Sequence, residues 1–516
     1  MSRIFNICLL LLLSGWCRAQ TTSAGKIVAP ASVYHELYRP GFHFSPREKW
    51  MNDPNGMVRF DGVYHLFFQY YPNDIVWGPM HWGHATSKDL VHWQQQPIAL
   101  YPDSLGYIFS GSAVIDSGNT LGVGSKSKIP LVAIFTQHDP EGEKQHTNTY
   151  QNQSLAYSLD KGNTWTKYSG NPVLKNPGIT DFRDPSVSWY ARTRRWIMAL
   201  ATKDRISFYS SPDLRNWSKE SEFGEGIGSH GGVWECPNLF PLVRKEHDRE
   251  KTYWVLLVSN NPGGPNFGSG TQYFIGQWDG HVFKPMDTVT RWIDYGPDDY
   301  AGVTWNNTGR RRIFLGWMSN WVYANMLPTA TWRNAMTVPR NLFLQEAGRR
   351  LYVASRPAPE VYSLARHKTE FTHLTVDSTR NLSHLITDTA GRYILEVRGA
   401  ADESVDFVFS NAAGEKLIFG YNPNKQQYWL DRSGAGKTDF HPGFGSTYTA
   451  PRLSDANHLD LEFVMDRSSL EVFADNGVTV MTAVYFSQQP LTRLRVNSTD
   501  VWVIRKLTYM TLAPIW

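Results

Sequence analysis

The chain is poor in cysteine, with three in 516 residues, and two of those, Cys8 and Cys17, sit in the first line of the sequence. That excludes a disulfide-stapled scaffold and a thiolate-rich metal site. Charge of one sign is lacking too: 51 Lys and Arg face 47 Asp and Glu, a net charge of +4 in a chain only 19% charged. Without a basic stripe or an acidic tail, nucleic acid and anionic membrane surfaces are excluded as partners. Long apolar runs are missing as well. Ile4 to Leu13 is too short to span a bilayer, and no later stretch approaches a membrane helix. Sustained helical periodicity is absent, which excludes a bundle or coiled coil.

What is present is aromatic and turn-rich. Phe, Trp and Tyr make up 14% of the chain, with 20 Trp, and flat apolar rings suit the C–H faces of a neutral sugar, although most Trp in a β-rich protein are core. The length favours two domains. Residues 1–20 read as a secretory signal peptide: Arg3, the apolar run, then small residues up to Ala19. Cys17 would allow a lipid anchor, but Trp16 is bulky where such a signal wants a small residue. Cleavage near Ala19 leaves one cysteine, Cys236, read as a structural thiol rather than a nucleophile.

Between residues 36 and 355, short β-branched and aromatic runs alternate with Gly, Pro, Asn and Asp clusters, as in Tyr64 to Gln69, Leu131 to Phe135 and Tyr253 to Val258. This predicts an all-β domain. An echo of Ser87, Asp89 and Trp93 recurs as Ser158, Asp160 and Trp165 and as Ser211, Asp213 and Trp217. Repeated supersecondary units imply blades around an axis. After Ala354 the composition turns to a linker, and residues 360–516 alternate like a β-sandwich.

Three segments carry carboxylates in distinct settings. Trp50-Met51-Asn52-Asp53-Pro54-Asn55-Gly56 sets Asp53 among amides, with Asn55-Gly56 predicting a chain reversal before Val58. Phe182-Arg183-Asp184-Pro185 puts an Asp beside a guanidinium, which should hold it charged. Trp234-Glu235-Cys236-Pro237 gives a Glu an apolar setting that favours its protonated form. Each alone marks an ordinary surface turn. Together they offer what glycoside hydrolysis requires: an attacking carboxylate, a protonated acid for the leaving oxygen, and a group to grip the sugar.

In this order the three segments resemble the signature motifs of glycoside hydrolase family 32, the invertases, inulinases and levanases. The resemblance implies a five-bladed β-propeller followed by a β-sandwich, no cofactor or metal, and retention by double displacement. Asp53 would be the nucleophile, Glu235 the acid and base, and Asp184 the transition-state stabiliser. It further implies sugar contacts from Asn52, Gln69, Trp77, Phe109, Ser110, Ser112, Arg183, Asp298 and Trp317. The sequence departs from the family at Asp299, where an aromatic is common, so the choice between Asp298 and Asp299 stays open. Segments such as Asn261 to Pro265 and Trp317 to Trp321 are more similar to exo-inulinases and levanases than to invertases, pointing to release of terminal fructose from levan or inulin and from sucrose. Rival readings are an arabinan or xylan hydrolase, which gives no reason for the first motif, and a fructan-binding protein without catalysis, which the three intact acids disfavour. His81, His84 and His92 lie close together but lack a ligand carboxylate pattern.

Overall fold

The computed structural model describes residues 34–516, so the signal-peptide reading at residues 1–20 lies outside the described residues. Four antiparallel strands, Lys49–Phe60, Val63–Tyr71, His81–Ser87 and Trp93–Leu100, form the first blade. Four more blades begin on Tyr107–Ile115, Phe182–Tyr190, Val233–Glu246 and Tyr300–Thr304. These five first strands touch one another in a closed cycle, the last meeting the first. That is a five-bladed propeller. Closure is reinforced by Trp332–Arg333, from the fifth-blade region, which pairs parallel with Lys49 and Trp50.

The Ser-Asp echo marks one place in three blades, the turn between third and fourth strands. Ser87 Oγ donates to Asp89 at 3.0 Å, Ser158 Oγ to Asp160 at 2.7 Å and Ser211 Oγ to Asp213 at 3.2 Å. Each Asp then accepts backbone amides such as those of His92, Thr164 and Asn216, fixing the turn from within.

Past residue 360, two six-stranded antiparallel sheets face each other across one apolar core that includes Phe407, Phe463, Tyr393 and Trp502. The stretch from Ser355 to Pro359 is packed rather than free. Arg350–Pro357 is the last blade strand, and Ala358 and Val361 in the following turn are fully buried.

The interface between the two units joins apolar clusters to a buried ionic one. His43, before the first blade, holds Asp466 at 2.7 Å and Glu471 at 2.8 Å of the sandwich, one on each ring nitrogen, with all three side chains fully buried. Burial opposes the imidazolium, but the two carboxylates outweigh it and lift the His43 pKa from 6.5 to about 9. A group that binds its proton more tightly when folded contributes stability that is complete below pH 6.5 and is lost as pH rises through 9. By linkage that contribution is on the order of 3 kcal/mol. The melting temperature is therefore expected to fall between pH 6.5 and 9, and His43→Asn to flatten that slope. Parallel melting curves for the two proteins would refute the assignment.

Candidate active site

Each of the five inner strands carries a β-bulge at the same level of the propeller. Register shifts fall between Met51 and Pro54, Ile108 and Gly111, Ala199 and Ala201 opposite Arg183 to Ser186, Glu235 and Asn238, and Tyr300 and Val303. A bulge re-aims side chains and ends regular pairing, so Asp53, Ser110, Asp184, Cys236 and Ala301 all turn out of the pleat near one axis. Proline explains three of them: Pro54, Pro185 and Pro237 cannot donate to a ladder and force the irregularity. Asp184, Cys236 and Ala301 take left-handed backbone with φ of 64°, 46° and 54°, strain that non-glycine residues hold only where packing imposes it.

Asn55-Gly56 does not reverse the chain. The strand runs unbroken from Lys49 to Phe60, with a second bulge between Asn55 and Val58. Gly56 is required because a Cβ there would meet the Phe67 ring at 2.6 Å and the Trp82 ring at 2.8 Å. Asn55 donates to the Asp53 carbonyl and accepts from Gly111 N of the second blade, tying two inner strands together.

The bulges floor a cavity of about 390 Å³, within the usual range of small-molecule sites. Asn52, Asp53, Gln69, Trp77, Phe109, Ser110, Arg183, Asp184 and Glu235 all line it. Asp53 accepts on both oxygens, from Asn52 Nδ2 at 2.9 Å and from Ser110 Oγ at 2.7 Å. Trp50 Nε1 in turn fixes the Asn52 amide oxygen at 2.8 Å. Asp184 accepts the Cys236 backbone amide at 3.0 Å, and the Cys236 sulfur lies 3.6 Å from both Asp53 Oδ2 and Asp184 Oδ2. The thiol is therefore a packed spacer between two carboxyls, its pKa pushed up by burial.

Arg183 does not grip its neighbour Asp184. Its guanidinium reaches across to Glu235 Oε1 from Nε at 3.1 Å and Nη2 at 2.9 Å, and to Asp181 from Nη1. Tyr300 donates its hydroxyl to Glu235 Oε2. Trp234 faces away, as strand alternation requires, into a core with Phe223 and Phe274. The expected apolar setting of Glu235 is thus replaced by an ionic and phenolic one. Burial raises the Asp53 pKa, with the Glu235 charge adding to it. Burial likewise lifts Asp184 to about 7, Arg183 opposing and Glu235 and Asp53 reinforcing. The expectation that both aspartates are simply held in the charged form does not survive this crowding, since burial and the neighbouring carboxylates push both upward.

Three expected sugar contacts do not reach the cavity. Asp298 is fully buried at the sandwich interface, bonded to Arg432 and Tyr323, and Asp299 is spent on Arg340, so neither acid of the pair faces a ligand. Trp317 is fully buried behind Trp321, ring centroids 4.8 Å apart, and Trp321 forms the wall in its place. The Ser112 hydroxyl is used between blades, donating to the Pro185 carbonyl and accepting from Val187 N.

His138, Glu143, Gln151 and Asn325, which carried no motif signal, also line the cavity, as do Asp181 and Asn261 from segments singled out in the sequence. His138 stacks on Phe109 at 4.2 Å and bonds Glu143 at 3.1 Å and Gln151 at 3.2 Å, and burial holds its imidazole below the ordinary pKa. Trp77 stands at the rim, 39% exposed and edge-on to Phe109. Gln69 lines the cavity beside Asn52, and its amide nitrogen is buried without a hydrogen-bond partner. His81, His84 and His92 do not converge: they bond the Pro79 carbonyl, His65 and Asp89 respectively. Among the described residues no cluster of potential ligands is arranged for a metal, and no helix is long and apolar enough to cross a membrane.

Comparison with known proteins gives concordant matches. The family model for the glycosyl hydrolases family 32 N-terminal domain matches residues 43–355, and that for the C-terminal domain matches residues 360–510. A levanase of Bacillus subtilis is 43% identical over 498 residues, 95% of this chain and 72% of that protein. An extracellular exo-inulinase of Aspergillus niger is 38% identical over 526 residues, covering 93% of this chain and 96% of its own. The crystal structure of an exo-inulinase from Aspergillus awamori superposes with a TM-score of 0.85 at 36% identity, over 94% of this chain and 100% of the other.

Proposed function

Because the chain belongs to glycosyl hydrolase family 32, we propose that Asp53, Glu235 and Asp184 cleave a terminal β-fructofuranosyl unit by double displacement. The protein is a glycoside hydrolase that acts on fructans from the chain end. The observation that carries the residue roles is the convergence of three carboxyls, from strands that begin at Lys49, Phe182 and Val233, on one cavity floor.

Asp53, with hydrogen bonds to both oxygens, is the carboxyl best equipped to be an anion and attacks the anomeric carbon. Asp184 and Arg183 take adjacent sugar hydroxyls. Glu235 gives the leaving oxygen a proton drawn from the crowded cluster, then accepts one from water as the fructosyl ester is hydrolysed. Turnover therefore requires the cluster's proton and falls as pH rises through about 7, where Asp184 loses it.

Sucrose, which carries one terminal β-fructofuranosyl unit, is a substrate this reading admits. Free fructose is expected from the first minutes on levan, inulin and sucrose. Mixed oligosaccharides appearing first would mean internal cleavage and would overturn attack at the chain end. The leader read at residues 1–20 and the likeness to extracellular exo-inulinases support work outside the cell.

A further inference from the structure

Residues Asp298, Asp299 and Tyr300 are consecutive, and each holds a different part of the molecule. Asp298 binds Arg432 Nη1 at 2.5 Å and the Val484 amide at 2.9 Å, both in the sandwich. Asp299 binds Arg340 at 3.0 Å, and the same guanidinium reaches Glu471 of the sandwich. Tyr300 reaches Glu235. The backbone before them lies along the sandwich edge strand Thr479–Val484: Tyr295 N donates to Val480 O at 2.8 Å and Asp298 N to Thr482 O at 3.2 Å. A Cβ on Gly296 would come within 2.1 Å of Thr482 N, so only glycine allows this approach.

Arg432 is placed to control that segment. Fully buried, it donates to Asp298, to the Phe444 and Val484 carbonyls, and to the hydroxyls of Tyr323 and Tyr448. Every donor direction is used and the guanidinium lies 3.7 Å from the Phe444 ring centre, so it has one position. The opposite end of the segment, Ala301, is in strained left-handed backbone, which relaxes unless the residues before it are held.

We propose that Arg432 of the sandwich is a positioning residue for catalysis: through Asp298 it fixes the strand that presents the Tyr300 hydroxyl to Glu235. The sandwich is then a working part of the site rather than a stabilising appendage. The proposal rests on the reading of Glu235 as acid and base. Loss of the arm leaves the sugar contacts of Asn52, Asp184 and Gln69 in place, so kcat falls while KM holds.

The test is a double-mutant cycle on the full chain with sucrose, below the melting temperature of every variant. Tyr300→Phe is expected to lower kcat by about 10-fold or more, the scale of one charge-assisted hydrogen bond, and to displace the alkaline limb of the pH profile. Arg432→Lys and the milder Asp298→Asn are expected to lower kcat and displace the limb in the same direction. Arg432→Lys combined with Tyr300→Phe should be no slower than Tyr300→Phe alone. Multiplying losses, or an unmoved pH profile in Asp298→Asn, would overturn the proposal by showing a role in stability only. Retained turnover in Glu235→Gln would instead overturn the reading beneath it, which separates the two failures.

Discussion

Asp53→Asn is expected to abolish hydrolysis of sucrose and levan, with kcat down by on the order of 10⁴-fold or more, while the melting temperature at pH 7 stays level or rises. The first half follows from the chemistry: an amide oxygen cannot form the ester that divides the reaction into two accessible steps. The second half follows from linkage. Burial and the Glu235 charge raise the pKa of Asp53 above its unfolded value. Its ionisation at neutral pH therefore opposes folding, and an uncharged isostere removes that cost. Asn also still accepts from Ser110 or Asn52, so the bulge is kept. Kinetics on sucrose with a parallel thermal melt decides the matter. Loss of both activity and fold would mean that Asp53 is a structural turn residue, the reading its Asp-Pro setting suggests in isolation.

Glu235→Gln is expected to cut turnover of natural substrates by at least about 10² to 10⁴, and to spare the first step, read as the burst phase or kcat/KM, with a fructoside whose leaving group needs no proton. With such a substrate the first step proceeds, but no base remains to activate water. The variant should therefore gain the mass of one fructosyl unit on the peptide that contains Asp53. Intact-protein and peptide mass spectrometry read this directly. An equal slowing of the first step on both substrate types, or no adduct, would remove Glu235 from proton transfer. The Arg183 bridge makes the comparison clean, because Gln keeps an acceptor for the guanidinium while losing the titrating proton.

The carboxylates were legible because each lies in a contiguous string whose proline announces a break in pairing. Pro54, Pro185 and Pro237 mark the bulges that turn Asp53, Asp184 and the Glu235-Cys236 pair towards the axis. The blades were legible because the Ser-Asp turn is a local device that closes its own hydrogen bonds wherever it occurs. Asp298 and Trp317 were misplaced because their roles depend on partners far along the chain. Asp298 finds Arg432 across 134 residues, and Trp321 takes the exposed side of a pair in which Trp317 is the inner member. Arg183 illustrates the same limit at short range: beside Asp184 in sequence, it bonds Glu235 in space.

By itself the sequence determined the strand class, the repeated Ser-Asp turns, the three acids and the family they signal, since backbone dihedrals and side-chain period are set by neighbouring residues. Only the tertiary structure decided which acids line the cavity and which are taken up by arginines, and that the strand carrying Tyr300 is tied to the sandwich through Asp298 and Arg432. Those properties are electrostatic and depend on distance and burial, and neither exists until separate strands are packed around one axis.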